Sequence, residues 1–219
     1  MSVFYPVYLD LRNRQSLVIG GNAEAEKKVV GMLEAGARVS VVSPAVTAGL
    51  ARLIEDGGVA WIDRSYRAGD LRGVFLAISC IIDPAFNAPI WEEAQQEKVL
   101  LNAVDDVPHC HFIAPAIHRS GDLTIAISTA GKGPALAVRL RERLAEIVGP
   151  EYGYLLELLG DLREEVADRL PASGPRRALW YRIVDSEALD LVRMGDMAGA
   201  RRLVRSLLSE ALESSDPSK

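Results

Sequence analysis

The sequence predicts an α/β fold, in which a mostly parallel sheet covered by helices is followed by a helical C-terminal part. In the first half, short β-rich runs alternate with stretches of helical periodicity, as in parallel strands joined by crossover helices. From Glu151 onward, apolar residues recur at helical spacing throughout. We therefore predict a sheet domain at 1–112, a central segment at 113–149 and a small helical domain at 150–219.

The composition indicates an ordinary soluble globular protein. Of the 219 residues, 49% are hydrophobic and 25% are charged. The 25 basic and 30 acidic residues give a net charge of −5, so no overall field favours nucleic acid or an anionic membrane. The N-terminus lacks the apolar run of a signal peptide, and the two cysteines are far apart. We expect a cytoplasmic protein that binds neither nucleic acid nor membrane.

Six strands are predicted in order. They lie at Ser16–Gly20, Arg38–Val42, Val59–Ile62, Val74–Ser79, Val99–Ala103 and Leu123–Ser128. Between the first two strands, apolar residues from Ala25 to Leu33 share one helical face, and the helix ends at Gly36. Another helix, containing Trp91–Glu97, precedes the fifth strand. This alternation predicts a Rossmann-like dinucleotide-binding domain.

Four helices are predicted after the sixth strand. The first begins at Pro134, and its predicted buried stripe consists of Leu136, Leu140, Leu144 and Ile147. The others are predicted at Tyr154–Leu170, Arg176–Met194 and Asp196–Leu212, with LPASGPRR as a linker and ESSDPSK as a polar tail. Helical appendages of this kind often carry dimerisation.

The stretch LVIGGNAEAEKK has the form of a phosphate-binding turn. Such a turn needs one glycine for tightness and another where the backbone approaches pyrophosphate. Gly20 and Gly21 are present, whereas Asn22 replaces the second fingerprint glycine; asparagine still suits a tight turn and a helix cap. Glu24 and Glu26 add negative charge to the first helical turn, which suits the helix dipole but competes with a bound phosphate. Dinucleotide binding is predicted, with a plain strand–loop–helix turn as the alternative.

The stretch NAVDDVPHCHF places two aspartates and two histidines beyond the fifth strand. Ligands of open α/β sheets bind at the carboxyl ends of the strands, so Asp105 is a candidate proton acceptor. In an extended segment His109 and His111 would point the same way, as a pair of metal ligands does. The alternative is that Asp105 and Asp106 cap a turn and the histidines are polar surface. No fixed metal site is predicted.

The stretch STAGKGPALAVRLRERL combines a glycine-rich loop with a basic helix. Ser128, Thr129 and Lys132 would bind an anion together with loop N–H groups near the helix N-terminus. The alternative is a solvated helix face with ion pairs such as that between Arg139 and Glu142. This alternative has equal weight for Lys132 and is favoured for the arginines.

Taken in order, these motifs resemble the precorrin-2 dehydrogenase family, which includes the N-terminal module of sirohaem synthase. The resemblance covers nearly the whole chain and rests on YPVYLDLRNRQSLVIGG, EAGARVSVVSP, NAVDD…CHFIAPAI and RSGDLTIAISTAGKGPALAVRLRERL. It implies a homodimer with interlocking central segments. It also implies NAD-dependent oxidation of precorrin-2 to sirohydrochlorin, followed in many members by insertion of Fe²⁺ to give sirohaem.

The resemblance assigns site residues as well. Asp105 would be the acid/base group. Ser128, Thr129 and Lys132 would bind the carboxylates of the tetrapyrrole. The positions implied for the NAD crevice are Gly20, Gly21, Asn22, Ala23, Glu24, Ser43, Pro44, Ala45 and Cys80. At the end of the second strand there is no acidic residue to bind the ribose 2′-hydroxyl of NAD. There is also no arginine to bind the 2′-phosphate of NADP.

Two other functions are open. Asn22, Glu24 and the apolar pair Ile81 and Ile82 depart from the family pattern, which favours a sirohydrochlorin chelatase or tetrapyrrole carrier with an altered NAD site. A regulatory NAD-sensing module of the channel-gating type would be expected to have an acidic residue after the second strand, where Ser43 and Pro44 stand instead. The dehydrogenase accounts for the most motifs.

Overall fold

The structure is a computed structural model, and it describes residues 4–214. The chain forms two compact units. The first contains the residues up to Ala114 and the short segment Ala130–Lys132, and the second contains Pro115–Thr129 and the residues from Gly133 onward. The division into three segments stays a prediction. Residues 215–219 of the predicted polar tail lie outside the described residues.

A five-stranded parallel sheet forms the centre of the first unit. Its strands are β1 (Gln15–Ile19), β2 (Arg38–Val42), β3 (Val59–Ile62), β4 (Leu76–Ser79) and β5 (Leu100–Ala103), in the spatial order β3-β2-β1-β4-β5. The chain moves outward from β1 to β3 and then returns to the other side of β1. The crevice between β1 and β4 is therefore the switch point at which such sheets bind ligands. The predicted fold class is confirmed.

Three helices connect these strands, and a side-chain oxygen caps each of them. They are α1 (Ala23–Glu34), α2 (Ala48–Glu55) and α3 (Pro84–Glu97), with Asn22, Thr47 and Asp83 as their caps. Each cap accepts an N–H of the first turn, which is worth about 1 kcal/mol. Because each helix follows a strand, its N-terminus lies at the carboxyl edge of the sheet.

Apolar side chains bury both faces of this sheet. On β1, Val18 belongs to the cluster that contains residues of α1 and α2, whereas Leu17 and Ile19 belong to the cluster that contains Ile90 and Ala94 of α3. This alternation follows from the two-residue period of a strand. Burial of each such Leu or Ile contributes roughly 1.5–3 kcal/mol, so the core fixes the carboxyl edge where the site lies.

As far as residue 214, the second unit consists of a hairpin and five helices. The hairpin pairs β6 (Ala116–Ser120) with β7 (Leu123–Ile127) in antiparallel fashion. The helices are α4 (Pro134–Ile147), α5 (Pro150–Arg169), α6 (Ser173–Val184), α7 (Ala188–Arg193) and α8 (Met197–Ser214). Leu162 and Val166 of α5, Ile183 of α6 and Leu208 of α8 share its main apolar core. Within residues 4–214 no helix combines the length and apolarity that crossing a membrane requires.

Two predictions for the helical part are wrong. The single helix predicted at Arg176–Met194 is broken, because the Ser186 hydroxyl donates to the carbonyl of Ile183 and accepts the N–H of Ala188 at the start of α7. Most of the predicted linker LPASGPRR belongs to α6. Pro175 is tolerated there because the first N–H groups of a helix need no intrahelical acceptor.

The predicted buried stripe of α4 is also wrong for the single chain. Leu136 is 58% exposed and Ile147 is 63% exposed, and Leu140 is exposed as well. The helix instead buries Ala137 and contacts the β6–β7 hairpin. The stripe therefore remains an apolar surface of this chain. The predicted ion pair between Arg139 and Glu142 is confirmed, with a distance of 2.8 Å.

Candidate active site

The turn between β1 and α1 lies at the switch point and requires both of its glycines. Gly20 has φ +108°, a left-handed conformation that residues with side chains rarely adopt. Gly21 packs against the connection between β2 and α2: a Cβ there would clash with the carbonyl oxygen of Ala45 and lie 2.9 Å from Ser43 Oγ. The backbone can adopt this path only because residues 20 and 21 lack side chains.

Asn22 closes the turn with both ends of its amide. Its Oδ1 accepts the N–H of Ala25 at 3.0 Å, and its Nδ2 donates to the carbonyl oxygen of Cys80, just beyond β4, at 2.9 Å. The amide therefore spans the β1–β4 crevice. The prediction that asparagine preserves the turn as a helix cap is confirmed.

Substitution of Asn22 is expected to separate capping from ligand binding. Asn22→Ala should lower the free energy of unfolding by about 1 kcal/mol, whereas Asn22→Gly should cost only about a few tenths, because glycine is a tolerable N-cap. Urea denaturation measures both. Asn22→Gly should also tighten binding of NAD, since it removes a side chain from the crevice. Equal dissociation constants for wild type and Asn22→Gly in calorimetric titration would mean that the dinucleotide does not pass residue 22.

The first turn of α1 fits a pyrophosphate group. Its leading N–H groups have no intrahelical acceptor, and the helix dipole favours an anion there. The Glu24 carboxylate lies 2.9 Å from Lys28 Nζ and 3.4 Å from Lys27 Nζ. The hydrogen bond from Lys28 lowers the pKa of Glu24. Because two lysines compensate this carboxylate, it opposes a bound phosphate less than the sequence suggests.

The connection between β2 and α2 forms the other wall of the glycine turn. The buried Ser43 hydroxyl donates to the carbonyl oxygen of Ala45 at 2.6 Å, and Trp61 Nε1 donates to the carbonyl of Ser43 at 2.9 Å. Pro44 and Ala45 form its exposed part. A carboxylate also reaches this connection from α1, because Glu26 accepts the hydroxyl of Thr47. The sequence places Glu26 in the first turn of α1, but it does not show that the side chain reaches the start of α2, because Thr47 is 21 residues away.

Asp105 stands on a loop that is fastened back onto β5. The N–H of His111 donates to the carbonyl of Leu101 at 2.7 Å, and Asn102 Nδ2 donates to the carbonyl of Phe112 at 2.9 Å. Asp105 is exposed and has φ +59°, a conformation that aspartate tolerates better than most residues. Among residues 4–214 nothing forms a hydrogen bond with its carboxylate, which is therefore available to a ligand.

Asp106 has the opposite environment. Its side chain is 6% exposed, and its Oδ2 lies 2.8 Å from His109 Nδ1 and 3.1 Å from Asn87 Nδ2. Asn87 is fully buried, and its Oδ1 accepts the hydroxyl of Ser79 at 2.7 Å. The carboxylate of Asp106 makes no capping bond to the short helix Val107–His109. The carboxylate of Asp105 is therefore accessible to a ligand, whereas the carboxylate of Asp106 is buried within the protein.

The two histidines of this loop are engaged by the protein. His111 stacks on Trp91 with 4.3 Å between ring centroids, and its Nδ1 accepts the N–H of Leu101 at 3.2 Å. Burial lowers the pKa of His111. Within residues 4–214 no group of three or more His, Cys, Asp or Glu side chains could hold a metal ion. Among these residues, neither His109 nor His111 therefore belongs to a metal site with three protein ligands.

Both cysteines are free thiols. Burial raises the pKa of Cys80 to about 12 and also raises the pKa of Cys110. Cys80 therefore meets the crevice through its carbonyl oxygen, the group that Asn22 binds, and not through a reactive thiolate.

The predicted anion-binding residues divide between the two units. Lys132 is exposed and belongs to the first unit, in which a Cβ on Gly131 would lie 3.4 Å from Val107 Cγ2. The segment that carries Lys132 therefore borders the Asp105 loop. Ser128 and Thr129 belong to the second unit, where the Thr129 hydroxyl accepts the N–H of Gly133 at 3.3 Å.

Comparison with known proteins agrees with this geometry. Residues 7–116 match the family described as "Putative NAD(P)-binding", so the class of protein is a Rossmann-type nicotinamide-dinucleotide-binding protein. Residues 120–147 match the central region of sirohaem biosynthesis proteins, and residues 151–208 match the sirohaem synthase dimerisation region. The chain belongs to the siroheme synthase and precorrin-2 dehydrogenase family, as the motifs predicted.

Individual relatives are similar over nearly the whole chain. Siroheme synthase 1 of Serratia proteamaculans is 35% identical over 213 residues, which are 97% of this chain and 45% of that protein. Siroheme synthase 1 of Pectobacterium atrosepticum is 36% identical over 197 residues, 90% of this chain and 41% of that protein. The chain thus spans less than half the length of these relatives. The solved structure of SirC, precorrin-2 dehydrogenase, has a TM-score of 0.73 and 26% identity, and the match covers 93% of this chain and 100% of that one.

Proposed function

We propose that the protein oxidises precorrin-2 to sirohydrochlorin with NAD⁺ as the acceptor. The observation that carries this proposal is the carboxyl edge of the first sheet. There a glycine turn lies at the β1–β4 switch point, and the loop after β5 carries Asp105, whose exposed carboxylate forms no hydrogen bond with the described residues. The relatives named siroheme synthase and the structural neighbour named precorrin-2 dehydrogenase support it.

The residues of the first unit would divide between them the binding of the dinucleotide and the transfer of a proton. The turn at Gly20 and Gly21 and the N-terminus of α1 would hold the pyrophosphate, beside residues 43–45. A nicotinamide bound there would supply the acceptor for the hydride that the macrocycle loses. Asp105 accepts the proton that the macrocycle also loses, because its carboxylate is exposed and has no competing partner among residues 4–214.

The proposed substrate is a macrocycle that carries many carboxylates. Lys132 is exposed and suits such a group, because a charge-assisted hydrogen bond between an ammonium and a carboxylate is stronger than a neutral one. By resemblance to the family, Ser128 and Thr129 are the further groups proposed to bind these carboxylates.

Iron insertion is the second candidate function. When Fe²⁺ enters sirohydrochlorin as a substrate, two pyrrole N–H protons must leave the macrocycle, and an accessible carboxylate such as Asp105 can accept a proton. The relatives are named for the iron-containing product siroheme. This reaction needs no dinucleotide. It would therefore be affected less by the departures from the family pattern at Asn22, Glu24, Ile81 and Ile82.

A homodimer is the proposed assembly. The match to a dimerisation region covers residues 151–208, and the outward stripe of α4 at Leu136, Leu140 and Ile147 is an apolar surface that a second copy would cover. Light scattering on the purified protein should give the mass of two chains. The two free thiols agree with a reducing cytoplasm as the proposed compartment.

The test is an anaerobic incubation of the purified protein with precorrin-2 and NAD⁺, in which NADH and the macrocycle spectrum are followed together. One NADH for each sirohydrochlorin is expected. A folded dimer that forms no NADH from competent substrate would contradict the dehydrogenase. Adding Fe²⁺ and sirohydrochlorin to the same sample would then show whether the protein is a chelatase, and tight binding without turnover would indicate a carrier.

A further inference from the structure

The strongest unexplained feature of the dinucleotide crevice is the carboxylate of Glu26. Glu26 lies on α1, but its side chain reaches the start of α2, where it accepts the hydroxyl of Thr47 and fills the space beside Gly49 that a Cβ would need. Thr47 is the N-cap of α2 and accepts the N–H of Leu50 at 3.2 Å. Glu26 therefore places a negative charge at the N-terminus of α2.

This position borders the glycine turn. The N–H of Thr47 donates to the carbonyl oxygen of Gly21 at 3.0 Å, so the start of α2 is tied directly to the turn. In Rossmann-type sites the group that selects between NAD and NADP lies where the second strand ends, beside the ribose of the adenosine half. In this chain residues 43–45 supply neither an acid nor an arginine there. Glu26 brings a carboxylate to the same place from another element.

In the part of the chain that the structure describes, no basic side chain pairs with Glu26. Lys27 and Lys28 both pair with Glu24, and Arg64, which follows β3, pairs with Asp70 at 2.7 Å. Within residues 4–214 no salt bridge includes Glu26. A bare helix N-terminus would attract a phosphate, whereas one occupied by an unpaired carboxylate repels it.

We propose that Glu26 is the residue that makes the site select NAD over NADP. The carboxylate repels the 2′-phosphate of NADP and leaves the uncharged 2′-hydroxyl of NAD unopposed. The selectivity thus arises from α1, and it explains how the site can discriminate although the end of β2 carries no acidic residue. This inference rests on the proposed dinucleotide function.

Glu26→Gln is the appropriate test, because glutamine keeps an oxygen that can accept the Thr47 hydroxyl and removes only the charge. Binding of NAD and NADP is measured by calorimetric titration at low and high salt, without substrate. The variant should bind NADP roughly tenfold more tightly than wild type, with little change in NAD affinity. In wild type, salt should weaken the discrimination by screening the charge; in the variant, the remaining discrimination should depend less on salt.

Glu55→Gln is the matched control, since it removes one negative charge from the exposed far end of α2. Its ratio of NAD to NADP affinity should equal that of wild type, and both variants should melt within a few degrees of it. An unchanged ratio in Glu26→Gln, or the same change in Glu55→Gln, overturns the proposal. Wild-type protein that binds neither dinucleotide would overturn the proposed function itself, and the inference with it.

Discussion

Asp105→Asn is expected to lower kcat for precorrin-2 oxidation at least roughly 100-fold, the lower end of what a positioned general acid or base contributes. Asparagine has the same shape and tolerates the left-handed conformation at φ +59°, so the loop should keep its path. It has no carboxylate to accept the proton. The thermal midpoint and the dissociation constant of NAD should therefore stay close to the wild-type values, and only turnover should fall.

Two further variants separate chemistry from structure. Asp56→Asn changes an exposed aspartate at the end of α2 and should retain full activity. Asp105→Ala should lose turnover to the same degree but also some stability, because alanine is disfavoured at positive φ. If Asp105→Asn turns over substrate at a rate close to that of wild type, another group accepts the proton.

Gly21→Ala is expected to weaken NAD binding at least roughly tenfold and to destabilise the protein by about 1–3 kcal/mol, the usual cost of forcing atoms into packed space. The new Cβ would meet the backbone carbonyl of Ala45, which cannot rotate away as a side chain can. Moving that connection would also break the bond between the Thr47 N–H and the Gly21 carbonyl. Urea denaturation and calorimetric titration with NAD measure the two effects.

Gly31→Ala is the control on the neighbouring helix. Gly31 lies within α1, and nothing is within 4 Å of the position that its Cβ would take. Alanine there should stabilise the protein by up to about 1 kcal/mol, because it is the better helix former. If Gly21→Ala proves as stable as wild type, the connection between β2 and α2 does not pack against the glycine turn in solution.

The first sheet could be predicted because each of its strands carries a local signal. Apolar, β-rich runs such as Arg38–Val42 and Val59–Ile62 appear in the structure with the predicted bounds. Strand β6 was not predicted, since Ala116–Ser120 has two apolar residues followed by three polar ones and therefore no strand periodicity; its pairing with β7 stabilises it. The break at Ser186 is likewise invisible to periodicity, because a hydroxyl that bonds the backbone causes it.

The site shows the same division between local and long-range information. Gly20, Gly21 and Asn22 could be read from the turn itself. Asp105 and Asp106 are adjacent and chemically identical in the sequence; the contacts of Asp106 with His109 and Asn87 distinguish its buried carboxylate from the exposed carboxylate of Asp105. The apolar stripe of α4 has helical periodicity, but periodicity does not say whether the chain or a second copy covers it.

The full burial of Asn87 has a consequence for the dynamics of the candidate site. Its amide joins the hydroxyl of Ser79 on β4 to the carboxylate of Asp106, so the loop that carries Asp105 is fastened to the interior of the first unit. Opening the loop would strand a buried carboxylate and amide, which is costly. A substrate would therefore bind to a loop that is already ordered, and the entropic cost of ordering this loop on binding would be small. Amide hydrogens of this loop should exchange with solvent nearly as slowly as those of the sheet beneath it.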